Sequence, residues 1–171
     1  MKKLLVLTAF FAAAFQVSAQ TKETLSVATL KLNGKLSLPC KLSDVVKLLG
    51  LVTYTNPEAL ECGSFFPQEA AESHVIRIKG FDIEKNRDSV FYHSIDLVKS
   101  PDAFITWSGG RFDRNTTLEQ MSKQFPVSAK QAKKNGGTTE MFLELDLSSD
   151  DVFKFDFKGG KLIRISYWGP C

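Results

Sequence analysis

The chain has 171 residues, 43% of them hydrophobic and 24% charged, and its 22 basic and 19 acidic residues give a formal net charge of +3. That is enough apolar material to bury a core, which excludes a disordered chain. The near balance of charge excludes the concentrated basic surface from which a nucleic-acid binder draws most of its affinity.

Residues 1–19 read as a secretory signal peptide. Lys2 and Lys3 precede an apolar run from Leu4 to Phe15, and Val17-Ser18-Ala19 stands before Gln20. A dozen apolar residues are too few to span a bilayer as a helix, and the small residues fit cleavage after Ala19. No Cys follows that position, so no N-terminal lipid anchor is expected, and no later apolar run is long enough for a transmembrane segment. The expected product is periplasmic or secreted. Without Lys2 and Lys3 it carries 20 basic against 19 acidic residues, a net +1.

Leu30 to Leu38 flanks Asn33-Gly34, the strongest short-range signal for a β-hairpin. Pro39 ends it and Ser43 can cap a short amphipathic helix, with Leu42, Val45, Val46, Leu48 and Leu49 as its apolar stripe and Gly50 as its stop. Residues 52–73 read as irregular or short helix, broken at Asn56-Pro57, Cys62-Gly63 and Phe66-Pro67. From His74 the apolar period becomes two. A strand is expected there, a second from Val90 to Val98 after the polar segment Asp82 to Asp88, and a third from Phe104 to Trp107.

Thr116 and Glu119 then have the spacing of a capping box before a helix with Leu118, Met121 and Phe125 on one face, stopped by Pro126. The cluster Lys130, Lys133 and Lys134 beside Asn135-Gly136-Gly137 reads as a solvated loop. Three strands follow, Met141 to Leu147, Val152 to Phe157 and Leu162 to Trp168, joined by a polar turn and by Lys158-Gly159-Gly160-Lys161. Alternation places Met141, Leu143, Leu145, Leu147, Phe153, Phe155, Phe157, Ile163, Ile165 and Tyr167 on a face that takes the helix. Phe142, Glu144, Asp146, Lys154, Asp156, Arg164, Ser166 and Trp168 fall on the solvated face of an antiparallel sheet.

The expected class is therefore α+β, short helices on one face of antiparallel sheet. At an offset of 76, Leu42 falls on Leu118, Val45 on Met121, Lys47 on Lys123 and Leu49 on Phe125, so a tandem repeat of helix, loop and three or four strands is expected. Its halves would be residues 20–110 and 111–171, within one compact domain or as two.

Leu42 to Gly50 and the strand, turn and strand from Phe155 to Leu162 give this plan a resemblance to the β-lactamase inhibitor protein fold. It is also similar to the small envelope lipoprotein domain of the outer-membrane barrel-assembly machinery. The resemblance implies a non-enzymatic protein-binding module that uses the open sheet face toward another envelope or secreted protein. Trp168, Phe142, Arg164 and Trp107 would be its contact residues, since aromatic and Arg side chains dominate binding hot spots. Residues 52–73 and the placement of the cysteines depart from that pattern.

Cys40, Cys62 and Cys171 all follow the leader, so one disulfide and one free thiol are expected in an oxidising compartment. Three pairings are open. Cys40 with Cys62 is preferred, because it closes a short loop across the first helix, for roughly 3 kcal/mol in the chain-entropy model.

No cofactor or metal is indicated. His74 and His93 stand 19 residues apart with no ligand at zinc spacing, and neither a Walker loop, a dinucleotide fingerprint nor a nucleophile elbow occurs. Cys62-Gly63-Ser64 matches only the opening of a papain-type signature, which leaves a thiol hydrolase acting through Cys62 with a histidine as the alternative reading. A structural envelope component is a third. Asp88-Ser89-Val90 also resembles the O-glycosylation triplet that some Bacteroidota use in the periplasm.

Overall fold

A computed structural model describes residues 23–60, 63–66, 72–147 and 150–169. The expected leader, Cys62 and Cys171 lie outside the described residues, and so do residues 67–71 of the stretch expected to be irregular or short helix.

Short strands open the fold: β1 (Thr24–Leu25), β2 (Lys31–Leu32), β3 (Leu36–Ser37) and β4 (Cys40–Lys41). The Asn33-Gly34 signal is realised as a three-residue turn, with Asn33 and Gly34 at φ of 48° and 66°. Asn33 has a second role, since its side-chain oxygen accepts from the Phe104 N–H at 3.0 Å and so joins the hairpin to a distant strand. Helix α1 (Leu42–Leu49) buries Val45 and Leu49 and ends at Gly50, whose N–H donates to the Val46 carbonyl. Its N-cap is Lys41, not Ser43. The chain enters the helix from β4, and the Leu42 N–H is taken by the Asp88 carbonyl.

Two stretches expected to be irregular or polar are strands. Tyr54–Ala59 forms β5 by pairing with β6 (Ser73–Ile78). Phe81–Asn86, mostly within the polar segment, forms β7 between β6 and β8 (Ser89–Asp96), because Phe81 and Ile83 are buried while buried Glu84 and Asn86 find partners in Ser64 and Ser73. β9 (Phe104–Trp107) turns back into β10 (Gly110–Asp113). Helix α2 (Leu118–Gln124) has its capping box one residue later than its spacing suggested, with Thr117 and Gln120 exchanging both hydrogen bonds. Pro126 ends that helix and begins α3 (Pro126–Lys130), as its fixed φ and missing N–H allow at a first helical position. The chain closes with β11 (Lys133–Asn135), β12 (Thr138–Leu145), β13 (Val152–Lys158) and β14 (Lys161–Trp168).

These strands make two sheets. The larger runs β1-β12-β13-β14-β8-β7-β6-β5, with β11 on β12 and β4 on β8, and the smaller runs β10-β9-β2-β3. Both halves of the chain share the larger sheet, joined where β14 pairs antiparallel with β8. Its inner face carries Met141, Leu143, Phe153, Phe155 and Ile165, all fully buried. What covers that face is the smaller sheet together with α2, rather than a helix alone. Phe112 of β10 meets Phe155 edge-on at 4.8 Å, Trp107 stacks on Phe112 at 5.8 Å, and Phe125 closes on Trp107 at 5.3 Å.

The expected faces of the last three strands hold with two corrections. A register shift at Asp156/Phe157 brings Leu162, not Ile163, opposite Phe157 and into the core. Leu147 lies beyond the end of β12 and is exposed. In β8 a register shift against β7 breaks the alternation, and both Phe91 and Tyr92 are buried. Among the described residues no helix is long and apolar enough to cross a membrane.

Candidate functional site: a groove on the open sheet face

Because side chains alternate along a strand, the outer face of β12, β13 and β14 can be read from their register. Glu144, Val152 and Trp168 form one row across the three strands, and Phe142, Lys154 and Ser166 form the next. A third row runs Glu140, Asp156, Arg164 and on to Asp96 of β8. Over the first two rows lies a groove of about 740 Å³. Phe142, Val152 and Trp168 give it an apolar floor, with Lys154 among them. Glu23, Val127, Ser128, Gln131, Lys133 and Glu144 complete its lining.

Local chemistry explains how this groove is built. Trp168 ends β14 and stays 55% exposed, a large aromatic open to solvent. The Lys154 ammonium lies 3.6 Å from Glu140 and 3.4 Å from Asp156, so its charge is held at the third row while its stem adds apolar surface beside Phe142. The Asp156 Oδ1 is buried, makes no hydrogen bond, and has this ammonium as its neutralising charge.

The opposite wall is α3, and one residue from the far end of the chain sets its position. Both oxygens of Glu23 accept at the helix N-terminus, from Val127 N at 3.0 Å and Ser128 N at 2.9 Å. A carboxylate there satisfies orphan donors and meets the positive end of the helix dipole, an arrangement worth about 1 kcal/mol. Lys133 stands on the rim with its side chain exposed. Nearby, Asp146 ties down the turn after β1: it accepts from Ser26 Oγ at 2.6 Å and Val27 N at 2.7 Å. Those hydrogen bonds hold its carboxyl below the usual carboxylate range.

Phe142 and Trp168 are thus brought together. Arg164 shares their face but sits four residues before Trp168 along β14, between Asp156 and Asp96, and does not line the groove. Trp107 lies elsewhere, in the layer between the two sheets, where its ring is packed on Phe112 and Phe125. Its hydrophobicity belongs to the core, and a side chain at Gly109 would strike the ring at 2.2 Å, which is why the turn after β9 needs glycine there. Sequence reasoning did not find Glu23, Val127, Gln131 or Val152. Only Pro126 gave any sign of a helix start beside the groove, and the partner of that start lies over a hundred residues away.

The other sequence candidates are dispersed. His74 lies in β6 opposite Lys85, and His93 is in β8 with a buried, unpartnered Nδ1. Neither lines the groove. Among the described residues no group of three His, Cys, Asp or Glu side chains is placed to hold a metal. Asp88 lies in the exposed turn between β7 and β8, and Ser89 is the exposed first residue of β8.

Cys40 is a free thiol, which corrects its expected bond with Cys62. It sits in β4 opposite Val90, packed against the core, and burial, with the nearby Asp44 charge, pushes its thiol up to about 11. The chain matches no protein-family model, no curated protein and no solved structure.

Proposed function

We propose that this chain is an exported, non-enzymatic binding module that seats a protein partner in the groove on its open sheet face. The observation that carries the reading is the convergence of Phe142, Val152 and Trp168 under a wall fixed by Glu23. An exposed Trp beside a half-buried Phe and a Lys stem offers the central aromatic anchor that protein interfaces use, and the charged rim can orient a partner. Export rests on the leader and its cleavage pattern at residues 1–19. The test is capture of envelope proteins by the mature chain and by a Phe142→Ala/Trp168→Ala variant. A partner retained equally by both excludes the groove as the interface, and thiol-dependent hydrolysis abolished by Cys62→Ser would establish the enzymatic reading instead.

The likeness to β-lactamase inhibitor and small envelope lipoprotein domains is part of the same proposal, as is a tandem repeat. Both helices begin at residues equated by the offset of 76, Leu42 and Leu118, and each half continues into antiparallel strands, β6-β7-β8 and β12-β13-β14. Superposing residues 42–97 on 118–168 tests the repeat. Helix and strands must match in order and direction, and a mismatch in direction rules it out.

A further inference from the structure

The groove is one part of a larger outward face, and the end of that face beyond the groove is basic. Strands β11 to β14 meet there in one row, Asn135, Thr138, Lys158 and Lys161, paired across the sheet. Lys133 and Lys134 belong to β11, not to a loop, and Lys133 stands opposite Glu140 and lines the groove. Paired residues share a face, so Lys158 and Lys161 lie with Thr138 on the groove's side of the sheet. Lysines far apart in sequence are thus gathered at one end. All four are exposed, and among the described residues none of them makes an ion pair. Without them the chain from Gln20 onward has 16 basic residues against 19 acidic ones, so a concentrated positive end stands on a molecule that is otherwise net negative.

Between these lysines and the groove lies the row of Glu140, Asp156, Arg164 and Asp96. Its charges are matched locally. Lys154 reaches both Glu140 and Asp156, Asn135 Nδ2 donates to Glu140 at 3.0 Å, Arg164 is paired opposite Asp156, and Lys99 lies 3.6 Å from Asp96. The lysine end is also fixed and bare. Thr138 Oγ1 donates to the Asn135 carbonyl at 2.6 Å, and the Gly160 carbonyl accepts from Leu118 N at 3.0 Å, so both turns are held. A side chain at Gly136, Gly137, Gly159 or Gly160 would meet nothing within 4 Å, which leaves the approach to the lysines open.

An anionic membrane fits this arrangement poorly. The exposed large apolar residues among those described include none at the lysine end, so nothing there inserts beside the charges, and Trp168 stands at the far end of β14. A protein segment that already occupies the groove has the lysines within its reach. Resting on the function proposed above, we infer that the partner segment seated in the groove is acidic on one flank. An aromatic or aliphatic side chain enters beside Phe142 and Trp168, and carboxylates follow over Lys133, Lys158 and Lys161. Phe142 and Thr138 are four residues apart on β12, about 13 Å of strand, so in an extended partner the carboxylates begin about four residues from the anchor.

The probe is a fluorescein-labelled synthetic peptide in which one tryptophan is followed by Ser-Gly-Ser and a run of glutamates. Its relatives carry serines in place of the glutamates, or serine in place of the tryptophan. Fluorescence polarisation with the chain from Gln20 to Cys171 should show the glutamate peptide bound at least about tenfold more tightly than the serine peptide at low salt, an advantage that fades as salt is raised. Lys158→Glu/Lys161→Glu, both at exposed turn positions, should remove that advantage while circular dichroism and the serine peptide's affinity stay unchanged. Phe142→Ala/Trp168→Ala should weaken both tryptophan peptides alike. Equal affinities for the glutamate and serine peptides, both lost in Phe142→Ala/Trp168→Ala, overturn the acidic flank and leave the groove standing. Glutamate-peptide binding that ignores Phe142→Ala/Trp168→Ala overturns the groove reading and the inference with it. So does a glutamate peptide that fails to bind while phosphatidylglycerol vesicles bind through Lys158 and Lys161, which would make that end a membrane contact.

Discussion

Substituting Ser64 by Ala should unfasten residues 63–66 from the larger sheet, with a cost that can be worked out from the contacts. Ser64 is one of two donors to the Glu84 carboxylate, which is fully buried in β7, and its oxygen also accepts from Phe66 N at 3.0 Å. A hydrogen bond to a charged group contributes about 1.5–3 kcal/mol, and loss of the weaker acceptor for Phe66 adds about 0.5–1 kcal/mol. The expected destabilisation is therefore about 2–4 kcal/mol, a large share of a small domain's net stability. Glu84→Gln keeps the size of the side chain but turns an amide donor toward Ser64 or Phe65, and about the same loss is expected. Since both changes break one contact, the double variant should lose about 1–2 kcal/mol less than the sum of the two. Urea unfolding followed by circular dichroism measures all three, with an unchanged slope confirming that only stability has moved. A Ser64→Ala loss under about 0.5 kcal/mol, or strictly additive losses, would refute the argument that this carboxylate pins the loop.

Three further outcomes are expected. Phe155→Ala empties the contact with Phe112 where the two sheets meet, and urea unfolding should report a loss of about 3–5 kcal/mol; a loss under 2 would mean that the sheets do not share a core there. Asp146 has its carboxyl lowered by Ser26 and Val27, so its contribution is present above the unfolded carboxylate value of about 3.9 and is lost as pH falls through its lower folded value. Asp146→Asn should flatten that acid limb of a stability-versus-pH curve and speed amide exchange at Val27, and an unchanged limb would contradict the assignment. Cys40, raised to about 11 by burial and Asp44, should alkylate at pH 8.5 many-fold more slowly in the native protein than in urea. Its raised value also means that its share of stability is intact below the unfolded thiol value of about 8.5 and declines as pH climbs toward 11, a trend Cys40→Ala should remove.

What could be seen in the sequence follows the range of the forces involved. Asn33-Gly34, the stripe from Leu42 to Leu49 and the alternation of the last three strands are local patterns, and each is present. β5 and β7 were not legible, because their partners are other strands: Tyr54 pairs with Arg77, and Glu84 is tolerated in the core only through Ser64 and Phe65. Period alone also placed Ile163 inward, whereas one register shift at Asp156/Phe157 exchanges it for Leu162. The groove was half visible. Phe142 and Trp168 could be placed on an outward face by counting, but the wall opposite depends on Glu23 meeting α3 from across the fold. Trp107 shows the limit of reading aromatics as anchors, since only the second sheet above the core explains where it lies.

The central claim, that the groove seats a protein partner, is tested most directly by titration calorimetry. A photo-cross-linker at Gln131 on the rim identifies the partner, and the purified partner is titrated into the mature chain and into the Phe142→Ala/Trp168→Ala variant. Two aromatic anchors at about 2 kcal/mol each predict an affinity about a thousandfold weaker for the variant, with unchanged circular dichroism. Affinities equal within about threefold, or no protein cross-linked from Gln131 in an envelope extract, would contradict the account.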